Sequence, residues 1–239
     1  MTTIRVAHLY PDYLNIYADR GNIAVLRARA AWRGVELDVR EIAPGDPTPD
    51  GVDLFYVGGG QDRDQVTVAE DMVATKRAAL HAAQERDAVI LAVCGGYQLL
   101  GSSYQLGEYR LPGVELVDLR TVREPGPRLI GNCAIESDLG GGPSVIAGFE
   151  NHGGRTYLGD DEQPLGRVLS GFGNNGRDGF EGVLRGNTIG TYLHGPLLPK
   201  NIWLADRLIE LALDIELEPL ADDSLEEAAH RSALRAAGV

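Results

Sequence analysis

Residues 87–101, DAVILAVCGGYQLLG, change character at a single position, and that change decides the fold. Val89 to Val93 is a short apolar run rich in branched side chains, the composition of a strand buried on both faces of a parallel sheet. Cys94 ends it. Gly95 and Gly96 then permit a sharp turn with close backbone approach, and Tyr97 to Leu100 read as the first turn of a helix running back along the sheet. Strand, nucleophile and helix in immediate succession form an elbow that presents the thiol at the sheet's carboxyl end. The N–H groups at a helix start favour thiolate over thiol, and thiolate is the nucleophilic form. A free cysteine is also at home as a small buried hydrophobe. The two glycines directly after it count against that reading, because packing a strand on a helix does not need them.

The segments upstream repeat the pattern. Leu54 to Val57 is another apolar run, and it empties into Gly58-Gly59-Gly60-Gln61-Asp62 before a helical pattern over residues 64–85. Successive glycines let main-chain N–H groups point into a cleft, where an oxyanion or phosphate can be held. Neither a Walker nor a dinucleotide fingerprint follows. Ile4 to Leu9 reads as the first strand, Gly21 to Trp32 as a helix and Val35 to Ile42 as the second strand. Between the first two lies PDYLNIYADRGN, residues 11–22, whose Tyr17, Asp19 and Asn22 can line a site or meet a partner; Asp19 is also placed to cap the helix. Such alternation predicts an α/β fold, a mostly parallel sheet with right-handed crossovers and helices on both faces.

After Gly101 the texture becomes antiparallel. Val114 to Leu119, Leu129 to Glu136, Ser144 to Phe149 and Phe180 to Leu184 are short runs between Gly and Pro clusters, and they predict hairpins extending the sheet. FENHGGRTY (149–157) and GFGNNGRDG (171–179) read as glycine-rich loops able to fold over the cleft. Arg128, after the breaker EPGP, can clamp a carboxylate bidentately or simply lie on the surface. Thr188 to Leu193 is the last strand and ends in His194-Gly195-Pro196, so a second reactive side chain stands at a strand end. His194 is therefore the leading general base for Cys94, with His152 the other candidate. Leu204, Leu208, Leu211 and Ile215 mark the core face of a helix over 201–213. Ser224 to Ala237 is a final helix opened by a Ser-x-x-Glu box. Cys133 reads as core, and His8, His81 and His230 carry no chemistry.

The 239 residues suit one domain, 1–239. With 35 acidic against 22 basic residues, a formal charge of -13, a nucleic-acid surface is excluded. The N-terminus lacks a signal pattern and no apolar run approaches the roughly 18 residues of a membrane span, so a cytoplasmic protein is expected. Cys94 and Cys133 are expected as free thiols, without zinc-ligand spacing to any His.

Taken together, GGGQD, CGGYQLLG, GFENHGGRTY and GTYLHGPLLPKN resemble the class I glutamine amidotransferases of the cobyric-acid-synthase-like group, and within it the glutaminase subunits that serve lipid II amidation. The resemblance covers most of the chain and implies a flavodoxin-like sheet. It implies that Cys94 attacks the glutamine side-chain amide with His194 as base, that the N–H groups of Gly59 and Gly95 form the oxyanion hole, and that Arg128 and Gln98 bind glutamine. It further implies a heterodimer with a Mur-ligase-like subunit, which takes the ammonia and carries ATP and Mg²⁺; no cofactor or metal is expected on this chain. General class I enzymes place a Glu two residues after the histidine, where this sequence has Pro196. A stand-alone γ-glutamyl hydrolase and a non-catalytic binding subunit of the same fold are the alternatives.

Overall fold

The computed structural model describes residues 2–139 and 141–239; Met1 and Gly140 lie outside it, as does the side chain of Ala18. The apolar runs become the centre of a parallel sheet because each is covered from both sides. β1 (Thr3–Leu9) pairs in parallel with β2 (Glu36–Ile42) and β3 (Leu54–Val57), and α1 (Arg20–Ala31) crosses from β1 to β2. From β3 the chain returns through α2 (Asp62–Asp71) and α3 (Arg77–Glu85) to β4 (Val89–Val93), paired in parallel with β3. The helical pattern over 64–85 is not one regular helix. A π-helical turn over Met72–Lys76 interrupts it and buries Lys76, whose Nζ donates to the Asp46 carbonyl at 2.6 Å and lies 3.2 Å from Asp71.

Beyond the elbow helix α4 (Gly95–Leu99) come β5 (Ser103–Leu106), β6 (Tyr109–Pro112) and β7 (Leu119–Arg123). β8 (Leu129–Ser137), β9 (Ser144–His152), β10 (Gly154–Leu158), β11 (Gly166–Ser170), β12 (Phe180–Glu181), β13 (Val183–Arg185) and β14 (Thr188–Thr191) follow. The main sheet has the order β13-β14-β4-β3-β1-β2, with only β13 antiparallel. The other antiparallel strands do not extend it, as the sequence suggested. They form two separate four-stranded sheets, β10-β7-β5-β6 and β12-β11-β8-β9, antiparallel throughout except for the parallel pair β5–β7.

Three further expectations are corrected. Val114 to Leu119 is not a strand: Val114, Leu116 and Val117 are buried, but the amides of Val114, Glu115 and Leu116 bond back to the carbonyls of Leu99, Gly101 and Leu100 at the end of α4. FENHGGRTY is not a loop; it is the end of β9 and the start of β10. The last helices, α5 (Ile202–Leu213) and α6 (Ser224–Ala237), lie where expected, yet Ile215 is 46 % exposed because α5 stops at Leu213, with Asp214 left-handed at φ 52°. Leu204 and Leu208 do face the core. Among the described residues no helix is long and apolar enough to cross a membrane.

Strand order reverses between β1 and β3, since the chain moves outward to β2 and then returns. Ligands of open α/β sheets sit at the carboxyl ends of the strands flanking such a reversal. The loops after β1, β3 and β4 therefore converge on one place.

Candidate active site

Cys94 supplies the strain at that place. It has φ 50° and ψ −104°, a conformation costly for any residue with a Cβ, held by the strand on one side and the helix on the other. Its N–H donates to the Thr191 carbonyl of β14 at 2.8 Å, and its carbonyl accepts from Gln98 N–H at 3.1 Å. Gly96 makes the fold-back possible: its N–H donates to Gly58 O at 3.1 Å, and a Cβ there would stand 2.7 Å from Val57 Cγ1.

The thiol is not activated by its position in the way the sequence suggested. Burial, followed by the negative charge of Asp19, pushes its pKa up to about 12, against the Gly95 N–H and Arg128, which favour thiolate. A helix of five residues has too little dipole to outweigh the loss of water.

Asp19 was one of the ambiguous loop residues, and it does not cap α1 with its side chain. Fully buried, its carboxylate accepts from Gly59 N–H through Oδ2 at 2.5 Å, while Oδ1 has no hydrogen-bond partner among the described residues. Burial raises its pKa to about 7, in spite of the Gly59 N–H and the Tyr56 hydroxyl. Gly59 therefore does not offer its N–H to the cleft, and the expectation of an oxyanion donor there is corrected. The neighbouring amide of Gly60 lies 3.0 Å from where a Cβ on Gly95 would stand and takes no acceptor among the described residues.

A cavity of about 440 Å³ opens on Cys94, walled by Tyr17, Gly60, Gln98, Arg128, Asn151 and His152 among others. Arg128 is held in place by Asn151, whose Oδ1 and backbone carbonyl accept from Nε and Nη2, each at 2.8 Å. Gln98 is locked at both ends: Oε1 accepts from Gln65 Nε2 at 2.6 Å and Nε2 donates to Tyr192 Oη at 3.1 Å. His152 is buried, stacked on Tyr192 at 3.5 Å and 5°, with Nδ1 2.8 Å from the Gly154 carbonyl. That contact requires the proton on Nδ1, and it ties the ring down. Cys133 is fully buried away from this cavity's lining.

His194 does not line the cavity. It lies past the end of β14, next to β4, and its backbone exchanges both hydrogen bonds with Phe149 at 3.0 Å. Its ring is fully buried, neither nitrogen has a hydrogen-bond partner among the described residues, and Tyr17 stacks over it at 4.3 Å and 21°. Burial lowers its pKa to about 3, and the nearby charges of Lys200 and Arg128 push the same way. Pro196, in the place of the absent Glu, packs toward α1, with its Cγ 2.9 Å from where a Cβ on Gly21 would be. Tyr17 itself is left-handed at φ 57°, and its hydroxyl is bonded by Asn151 Nδ2.

Gln65, Asn151 and Tyr192 are site residues the sequence reading did not find. Their signal was present only as adjacency: Gln65 follows GGGQD, Asn151 precedes His152, and Tyr192 sits two before His194.

Residues 5–202 match the CobB/CobQ-like glutamine amidotransferase domain. The chain is 42 % identical, over 94 % of its length and 91 % of the relative's, to the lipid II isoglutaminyl synthase (glutamine-hydrolyzing) subunit GatD of Staphylococcus aureus strain N315. It is 38 % identical to the subunit of the same name from Streptococcus pneumoniae strain R6, over 94 % of this chain and 88 % of that one. Its fold is similar to that of PurLQS from Thermotoga maritima, with a TM-score of 0.59 at 18 % identity, covering 90 % of this chain and 99 % of that one.

Proposed function

Because the chain belongs to the CobB/CobQ-like glutamine amidotransferase family, we propose that it is the glutamine-hydrolysing subunit of a lipid II isoglutaminyl synthase. The reading rests on one observation above others: a strained, buried cysteine at a strand–helix elbow, opening on a cavity that also holds Arg128 and Gln98.

In this reading Arg128, braced by Asn151, receives the α-carboxylate of glutamine, and the locked Gln98 shapes the wall against which the side-chain amide lies. Cys94 Sγ attacks the amide carbon as His194 takes the thiol proton, and Gly95 N–H meets the oxygen that becomes negative. The imidazolium returns its proton to the leaving nitrogen. Ammonia departs, and water, deprotonated by the same imidazole, opens the γ-glutamyl thioester to glutamate. With burial favouring both the neutral thiol and the neutral imidazole, the proton moves only as the new bond forms.

The ammonia goes to a Mur-ligase-like partner, MurT, which uses ATP and Mg²⁺ to activate the D-glutamate carboxyl of the stem peptide. The pair is a heterodimer working in the cytoplasm on a lipid-linked substrate. The empty hydrogen-bonding positions of His194, in positive surroundings, favour a carboxylate donated by that partner.

The test is reconstitution with the ligase, ATP and lipid II. Wild-type chain should release glutamate and amidate lipid II from glutamine; Cys94→Ala should lose both, while free ammonia still supports amidation. Amidation from glutamine by the Cys94→Ala pair would sink the reading, and glutamate release without any transfer would favour a stand-alone hydrolase.

A further inference from the structure

Asp19 is a buried carboxyl group with no role in the proposed steps of hydrolysis. Among the described residues it has no cationic partner, and its charge works against ionisation of Cys94. Burying an unpaired carboxylate is unfavourable unless hydrogen bonds to the charged form offset the loss of water. Here the Gly59 N–H at 2.5 Å opposes that loss without cancelling it.

The same loop grips the next peptide as well. Gly59 C=O accepts from Ile16 N–H at 3.0 Å. In a trans peptide the carbonyl of one residue and the N–H of the next point in opposite directions. With its carbonyl turned toward Ile16, the Gly59–Gly60 peptide must aim Gly60 N–H away from the loop. On that side stand the Gly95 backbone and the cavity on Cys94. A Cβ placed on Gly59 would meet Cys94 Cβ at 3.1 Å and Asp19 Oδ2 at 3.3 Å, so nucleophile, peptide and carboxylate are packed without slack.

We propose that Asp19 is a positioning residue of glutamine hydrolysis: by holding Gly59 N–H it fixes the glycine turn so that Gly60 N–H stands with Gly95 N–H as the second donor to the oxyanion. Asp19 touches no substrate atom. It acts through the peptide, so its contribution appears when negative charge develops on the substrate oxygen, and less when glutamine merely binds. The inference rests on the glutaminase reading above.

The experiment compares Asp19→Ala and Asp19→Asn in the full chain with its ligase partner. The Ala variant should lose about tenfold to a hundredfold in kcat for glutamine hydrolysis, with KM within about threefold, as for removal of an oxyanion donor. The Asn variant, whose carboxamide oxygen still accepts from Gly59 N–H, should keep most of kcat. A second readout covers instability of the Ala variant. Binding of glutamate γ-semialdehyde, whose adduct with Cys94 carries the oxyanion, should weaken about tenfold, whereas alkylation of Cys94 by iodoacetamide should not slow. An Ala variant with kcat within threefold of wild type overturns the proposal, as does an Asn variant as impaired as Ala, or semialdehyde binding that is unchanged. Wild-type chain that hydrolyses no glutamine even with its partner overturns the glutaminase reading itself.

Discussion

At the scale of single residues, the proposed reaction is carried by Cys94 and His194, and burial favours the neutral form of each. Cys94→Ala should abolish glutamine hydrolysis with the fold intact, and a glutamine-analogue electrophile should label Cys94; mass spectrometry finding the label on Cys133 would reassign the nucleophile. His194→Ala should lose about a hundredfold or more in rate, and His152→Ala far less, since His152 is pinned by Gly154 and Tyr192. The greater loss from His152→Ala would exchange their roles. His194 also sets a stability signature. Its folded pKa of about 3 lies below the ordinary value of 6.5, so between those values the unfolded chain binds a proton that the folded chain does not. Stability is therefore lost as pH falls through that window, with a slope of up to ~1.4 kcal/mol per pH unit from this group. His8, lowered to about 4, adds to the slope; Asp19, raised to about 7, opposes it. His194→Asn should flatten the dependence between about pH 6.5 and 4, measured by denaturant midpoints, and an unchanged slope would mean the ring is not buried neutral. Cys94 and His194 were legible because each ends an apolar run. The protonation state of the thiol was not, because it depends first on burial and then on Asp19, 75 positions away in sequence, and both are visible only after folding.

At the scale of elements, the elbow depends on contact between the β3 and β4 turns. Gly96→Ala would drive a methyl to 2.7 Å from the Val57 side chain and carbonyl, so the variant should lose about 1–3 kcal/mol in stability and, with the elbow displaced, most of its glutaminase activity. Chemical denaturation reads the first and glutamate release the second; a variant unaffected in both would show that the turns are not tightly coupled. The parallel strands were readable because burial on both faces leaves a continuous apolar signal, as in Val89 to Val93. The end of β9, Glu150 to His152, was hidden for the opposite reason. Its Glu150 accepts from the Phe172 and Gly173 amides, Asn151 braces Arg128, and His152 stacks on Tyr192, so polar residues do the packing and the segment reads as a loop. Val114 to Val117 shows the converse, apolar residues buried without a strand partner.

At the scale of the molecule, an acidic chain of net charge -13 sets Arg128 and Lys200 near an imidazole that has no carboxylate partner among the described residues. The isolated chain should accordingly be a poor glutaminase. Adding the ligase subunit should raise glutamate release, and neutralising an acidic partner residue close to His194 should weaken that stimulation. Full activity from the single chain, unchanged by any partner, would refute a shared site. The Tyr17 ring stacked over His194 has a physiological meaning as well. Under the proposed reading, a subunit whose base lies capped hydrolyses glutamine slowly, so free chain left over from unequal synthesis of the two subunits should drain little of the nitrogen pool and leak little ammonia.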